Sequence, residues 1–177
     1  MTTAPGLPGL RRLDHIGFTV PDLAQAHTWL VDVLGCEYLY TLGPYQDPDG
    51  TWMRDHLGVD PRTVMRRLHF YRVGEQAVFE VFEYDAADDA RDTPPRNSDV
   101  GGHHVALYVD DLDAALAHLR EHDVDVMAEP TVSRGPSEGQ RWVYFRSPWG
   151  MQFELVSSPG GKAFDNGTWT AEGAEQS

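Results

Sequence analysis

HIGFTVPDLAQAHTWL, residues 15–30, and HVALYVDDLDAALAHL, residues 104–119, decide the fold between them. At a constant offset of 89 residues His15 meets His104, Val20 meets Val109, Asp22 meets Asp111 and Leu23 meets Leu112. Ala26 then meets Ala115, and Leu30 meets Leu119. An ordered series at one offset marks an internal duplication, and a duplicated unit fixes the architecture before any local detail. Each copy opens on period-two alternation, the signature of a half-buried strand. Ile16, Phe18 and Val20 point one way, while His15, Gly17 and Thr19 point the other. Val105, Leu107 and Val109 repeat the first set; His104, Ala106 and Tyr108 repeat the second. Asp22 and Asp111 (or its neighbour Asp110) suit helix N-caps, because a short carboxylate can accept the first free backbone N–H groups. Leu23, Ala26, Leu30, Val33 and Leu34 follow at helical spacing, as do Leu112, Ala115, Leu116 and Leu119. Gly35 ends the first helix.

Working outward, each helix is followed by shorter strand signals. In the first half these are residues 37–42, 63–73 and 76–84, with Gly74 and Glu75 as a tight turn. In the second they are residues 125–128, 141–147 and 151–157, with Pro148, Trp149 and Gly150 turning the last pair. The chain therefore reads as α+β: two tandem βαβββ modules over residues 12–85 and 100–158. A linker rich in Asp and Pro joins them over 86–99, and a loosely held tail spans 159–177. Residues 43–61 form an insertion with a short helix expected near Trp52–Leu57.

The bulk numbers bound the function. A formal charge of −14 argues against nucleic acid or an anionic membrane as partner, since a phosphate backbone needs a basic face. No apolar run approaches a membrane span, and MTTAPGLPGL lacks the basic start and apolar core of a secretory signal. Cys36 is the sole cysteine, so no intrachain disulfide forms. Cytoplasm is the expected compartment. Two arginine groups, Arg62, Arg66, Arg67 and Arg72, then Arg134, Arg141 and Arg146, read first as solvated charges and second as anchors for a substrate anion, with Arg141 as the candidate.

The final strands of the modules supply the chemistry. Glu80 sits in AVFEVFEY and Glu154 in MQFELVS, each flanked by apolar residues of the opposite face. A carboxylate in the middle of an apolar strand is costly unless paired, protonated or bound to metal. Glu80 follows His15 by 65 residues and Glu154 follows His104 by 50, and the 43–61 insertion absorbs the difference. His15, Glu80, His104 and Glu154 are thus expected to hold one divalent ion, a donor set open to zinc, nickel, cobalt, manganese or iron. Glu83 faces away from Glu80, and His103 has the parity of Val105 and Leu107. Tyr108 and His69 are the further candidates for a pocket wall; most of the other aromatics read as packing.

HIGFTVPDL, GGHHVALYVDDLDAAL and SPWGMQFELVS resemble the opening of the first module, the opening of the second and the closing hairpin of the vicinal oxygen chelate superfamily. That superfamily includes glyoxalase I, methylmalonyl-CoA epimerase, extradiol dioxygenases and fosfomycin-resistance proteins. The resemblance runs from about Arg12 to Ser158. It implies that the modules pair edge to edge into a curved mixed sheet around the metal, with helices outside, commonly as a homodimer. His15, Glu80, His104 and Glu154 fall on its four ligand positions. Glu at the first carboxylate position resembles glyoxalase I, whereas GGHHVALYVDD is closer to the epimerases, some of which act on seven-carbon cyclitol ketones.

Such a site suits a small substrate with two adjacent oxygens. A Lewis acid polarises a carbonyl, and Glu80 and Glu154 become candidate proton carriers on opposite faces of the neighbouring carbon. Return of the proton to the opposite face is epimerisation, the reading favoured here for an α-hydroxy ketone, cyclitol ketone or acyl thioester. Return to the adjacent carbon is the glyoxalase type of lyase chemistry. Extradiol cleavage of a catechol on iron is a rival that a fourth ligand at Glu80 disfavours. A drug-sequestering resistance protein without chemistry is the third, and such proteins often lack the metal residues kept here.

Overall fold

A computed structural model of the chain describes residues 7–86 and 90–168. Its contacts divide it into two compact units, residues 1–90 and 91–177. Each unit holds one open mixed sheet. In the first, β1 (Ile16–Thr19), α1 (Leu23–Asp32), β2 (Glu37–Leu42), α2 (Trp52–Leu57), β3 (Val64–Val73) and β4 (Ala77–Asp85) give the strand order β1-β4-β3-β2. In the second, β5 (Val105–Tyr108), α3 (Leu112–Glu121), β6 (Asp125–Val126), β7 (Thr131–Val132), β8 (Arg141–Arg146) and β9 (Gln152–Ser157) follow. Their order is β5-β9-β8-β6, with β7 also on β8. The hydrogen-bonded strands thus form two sheets, one per unit, and neither closes on itself.

The duplication is visible in the hydrogen bonds. Asp22 Oδ1 accepts from the N–H groups of Ala24 and Gln25 at 2.8 and 3.0 Å, and Asp111 Oδ1 from Ala114 at 3.0 Å. β1 runs parallel to β4 with Gly17 opposite Glu80, and β5 runs parallel to β9 with Ala106 opposite Glu154. Each opening strand ends on the same bond, Val20 N–H to the Phe82 carbonyl and Val109 N–H to the Val156 carbonyl, both 2.9 Å. One face of each sheet is dry. Phe18, Phe79 and Val81 are buried in the first unit with Leu23, Ala26 and Leu30 of α1. Val105, Val143, Phe145 and Phe153 are buried in the second with Leu112, Leu116 and Leu119 of α3. Each such leucine contributes about 1.5–3 kcal/mol.

Two local readings are corrected, and a third, the short helix over Trp52–Leu57, is met and extended. The strand expected over 125–128 stops at Val126, although Met127 N–H still donates to the Tyr144 carbonyl at 3.0 Å. Pairing resumes as β7 after Pro130, which has no N–H to offer the ladder. The two pieces together line β8: Val126 pairs with Phe145 and Thr131 with Trp142. The segment after Pro159 is not loose over its described part. Ala163 and Phe164 donate to the carbonyls of Glu138 and Pro136, both at 2.9 Å. Gly139 permits this, since a Cβ there would lie 2.5 Å from the Gly161 carbonyl oxygen. Finally, α2 does more than interrupt the insertion. Its Met53 is fully buried with Met65 and Leu68, and Phe70, Phe82 and Tyr84 pack against them. The first sheet is therefore packed on both faces. Among the described residues no helix is long and apolar enough to cross a membrane.

Candidate metal centre

Strand register places each histidine beside its glutamate. His15 immediately precedes β1, whose parallel partner β4 carries Glu80, and the two side chains meet with Nε2 3.1 Å from Oε2. His104 precedes β5 in the same way, and its Nε2 lies 3.3 Å from Oε2 of Glu154. Phe70 of β3 sits opposite Glu80, and its ring meets the His15 ring edge-on at 6.5 Å. Tyr144 of β8 sits opposite Glu154 and meets His104 edge-on at 5.0 Å. A histidine, a carboxylate and an aromatic ring thus recur in one order across both sheets.

The donor chemistry fits a divalent ion. Two ligands each about 2.1 Å from a metal and separated by 90–109° lie roughly 3.0–3.4 Å apart. Both His–Glu separations fall in that interval, and imidazole with carboxylate suits borderline cations. Each unit by itself offers two donors; among the described residues no group of three or more His, Cys, Asp or Glu gathers at metal-binding spacing. The second pair is the more enclosed, with the Glu154 side chain 11% exposed against 19% for Glu80.

The surroundings of the pairs were only partly expected. Asp14 Oδ2 lies 3.2 Å from Nδ1 of His15, a carboxylate that fixes the ring and leaves Nε2 for the site. Its signal was its position one residue before the histidine, on an exposed approach to the strand. The corresponding residue in the second unit is His103, whose Nδ1 bonds the Gly101 carbonyl at 3.1 Å. Tyr84 shares the Glu80 face of β4 and stacks on Phe82 at 5.5 Å. Burial pushes its phenol up, and the Glu80 carboxylate adds to this. Tyr144 is raised by burial and by Glu154 in the same sense. Counting alternate residues along β4 from Glu80 reaches Tyr84, whereas Tyr144 is placed only by the register of β8 on β9.

Two substrate-binding candidates lie elsewhere. His69 pairs with Val81, on the helix side of β3, so it faces away from Glu80 and Phe70. There its Nδ1 lies 2.9 Å from the Tyr71 hydroxyl, which also meets Nδ1 of His27 on α1 at 3.0 Å. The Tyr71 hydroxyl thus bridges the two imidazoles behind the sheet. Burial first, then His27 and Arg67, lower the His69 pKa, with Glu83 opposing. Arg141 is tied to Asp113 of α3 by two bonds of 3.0 and 2.8 Å. It shares the register face of Val143 and Leu155, opposite to Glu154. Among the other arginines, Arg62, Arg66, Arg67, Arg72 and Arg146 pair with Asp60, Asp85, Glu83, Glu37 and Asp125. Tyr108 stands 56% exposed at the end of β5, on the edge of its sheet.

A family described as the Glyoxalase/Bleomycin resistance protein/Dioxygenase superfamily matches residues 14–145. The chain is 46% identical over 168 residues to a 2-epi-5-epi-valiolone epimerase from Actinomyces sp, covering 94% of this chain and 90% of that one. Among solved structures it resembles a glyoxalase family protein from Bacillus cereus, with a TM-score of 0.67 at 18% identity, covering 87% and 98% of the two chains. It also resembles the fosfomycin resistance protein FosX from Listeria monocytogenes, complexed with Mn(II) and sulfate. There the TM-score is 0.52 at 17% identity, covering 84% and 93%. At such identities the two structures speak for the fold alone.

Proposed function

Because the chain belongs to the glyoxalase/bleomycin resistance protein/dioxygenase superfamily and is an enzyme of it, we propose that it is a divalent-metal epimerase of a cyclitol ketone. The substrate class is that of 2-epi-5-epi-valiolone, on which the relative of 46% identity is named. The observation that carries the reading is the repeated pair, His15 with Glu80 and His104 with Glu154, at the spacing of adjacent ligands. We assign these four side chains to one ion. When bound, that ion supplies Lewis acidity beside the ketone.

The chain's own residues do the rest. One glutamate takes the proton from the carbon next to the carbonyl, and the other delivers a proton to the opposite face of that carbon. His15 and His104 would ligate the ion through Nε2 beside their glutamates, and Asp14 orients the first of them through Nδ1. The packed aromatic neighbours Phe70 and Tyr144 limit water at the carboxylates, which favours transfer between glutamate and carbon over transfer to solvent.

The test is solvent exchange. Purified protein, its metal identified by elemental analysis, is given 2-epi-5-epi-valiolone in deuterium oxide, and the α-proton is followed by NMR. Glu154→Gln keeps the size of the side chain but not its basicity, and inversion should fall by about 10²–10⁴-fold. Undiminished inversion in that variant, or full activity in metal-free protein, would sink the assignment.

A further inference from the structure

Gly17 lies opposite Glu80 in the parallel register, the place that Ala106 holds opposite Glu154. Nothing in the backbone demands glycine there: it is an interior strand position without a left-handed φ. Glycine inside a strand weakens it, and its presence often marks a close approach by another group. A Cβ built on Gly17 would lie 3.4 Å from Oε2 of Glu80 and 3.4 Å from Cε2 of Phe82, an ordinary contact. Alanine would therefore fit, as it does in the second unit. What glycine leaves is a methyl-sized slot between the Glu80 carboxylate and the Phe82 ring.

The slot has one fixed wall and one movable one. Phe82 is stacked on Tyr84 and packed against the cluster of Met53, Met65 and Leu68. Glu80 turns about three side-chain bonds and is more exposed than Glu154. We propose that Gly17 is a positioning residue: its slot lets the Glu80 carboxylate swing from His15 toward the reacting carbon, while Glu154 stays seated beside His104. The inference rests on the epimerase reading above. For one epimer, the C–H bond breaks toward Glu80 and its electron pair passes to the ketone oxygen. The same carbon then regains a proton on its other face, so nothing is oxidised or reduced.

Gly17→Ala in the full-length, metal-loaded protein tests this. Deuterium entry at the α-carbon and inversion are followed separately, starting from each epimer. The variant should keep its metal content and melt at or above the wild-type midpoint, since alanine restricts the unfolded chain. Inversion should fall about tenfold or more. Deuterium entry should persist from the epimer that Glu154 serves, so the ratio of exchange to inversion rises. Gly17→Val should deepen the effect. Inversion within twofold of wild type overturns the proposal, and so does a parallel fall of exchange and inversion. Loss of metal or a lower melting midpoint assigns Gly17 a structural role instead, which also overturns it. A wild-type protein that exchanges no α-proton of this ketone overturns the epimerase reading itself, and the role of Gly17 with it.

Discussion

The two modules repeat the same strand register but differ in what lies on the site face of the sheet. In the first, α2 lays Met53 against Met65 and Leu68, and Phe70 and Phe82 complete a second small core beside Glu80. In the second, α3 is the one α-helix among the described residues, and the strand facing β8 is broken into β6 and β7. Tyr144 and Trp142, 5.3 Å apart on β8, occupy the corresponding place. The lesson is that duplication preserved the backbone pairing that sets histidine beside glutamate. The side chains around that pair were free to diverge, because register depends on backbone bonds and on the dry face alone.

The sharpest way to break this comparison is through stability. Met53→Ala should cost about 2–5 kcal/mol, since the side chain is fully buried. Met127→Ala, at a residue 40% exposed beside β8, should stay within about 0.5 kcal/mol. Denaturant unfolding of the full chain reads both, and equal costs would show that the α2 layer adds no core.

A smaller effect separates the two histidines. Asp14→Asn removes the carboxylate on His15 and should weaken metal binding about tenfold, the low end for an orienting group because Asp14 is largely exposed. His103→Ala, at the duplicate position, should leave affinity unchanged. Competition with a chelator measures each, and similar losses would undo the asymmetry.

The smallest effect is a pH dependence confined to the first unit. The folded protein resists protonating His69, whose pKa burial holds below the ordinary 6.5. The unfolded chain takes that proton near the ordinary value, so unfolding binds protons and stability declines as pH falls through 6.5. His69→Gln should flatten that slope between pH 7 and 5.5; an unchanged slope would locate it elsewhere.

Much of the fold was legible because local signals agreed with one another. β2 and α2 lie where the sequence placed them, over 37–42 and Trp52–Leu57, and Gly58 closes α2 in a left-handed conformation. The caps at Asp22 and Asp111 follow from residue type and place. The break between β6 and β7 needs the partner strand to be seen, since only β8 shows that both pieces stay in the ladder. His69 was harder. The register of β3 shifts between Met65 and Arg67, so parity counted from the start of the strand misassigns the faces beyond it.

The sequence by itself determined the duplication, the two strand–helix openings and which histidine and glutamate correspond in each half. Those properties are periodic, and periodicity survives in one dimension. Only the tertiary structure decided that Arg141 is bound to Asp113, 28 residues away on α3, and that His69 joins His27 and Tyr71 behind the sheet. It also decided how near Gly17 lies to Glu80, 63 residues further along the chain. Those contacts join distant segments through shape and register, and no local pattern carries them.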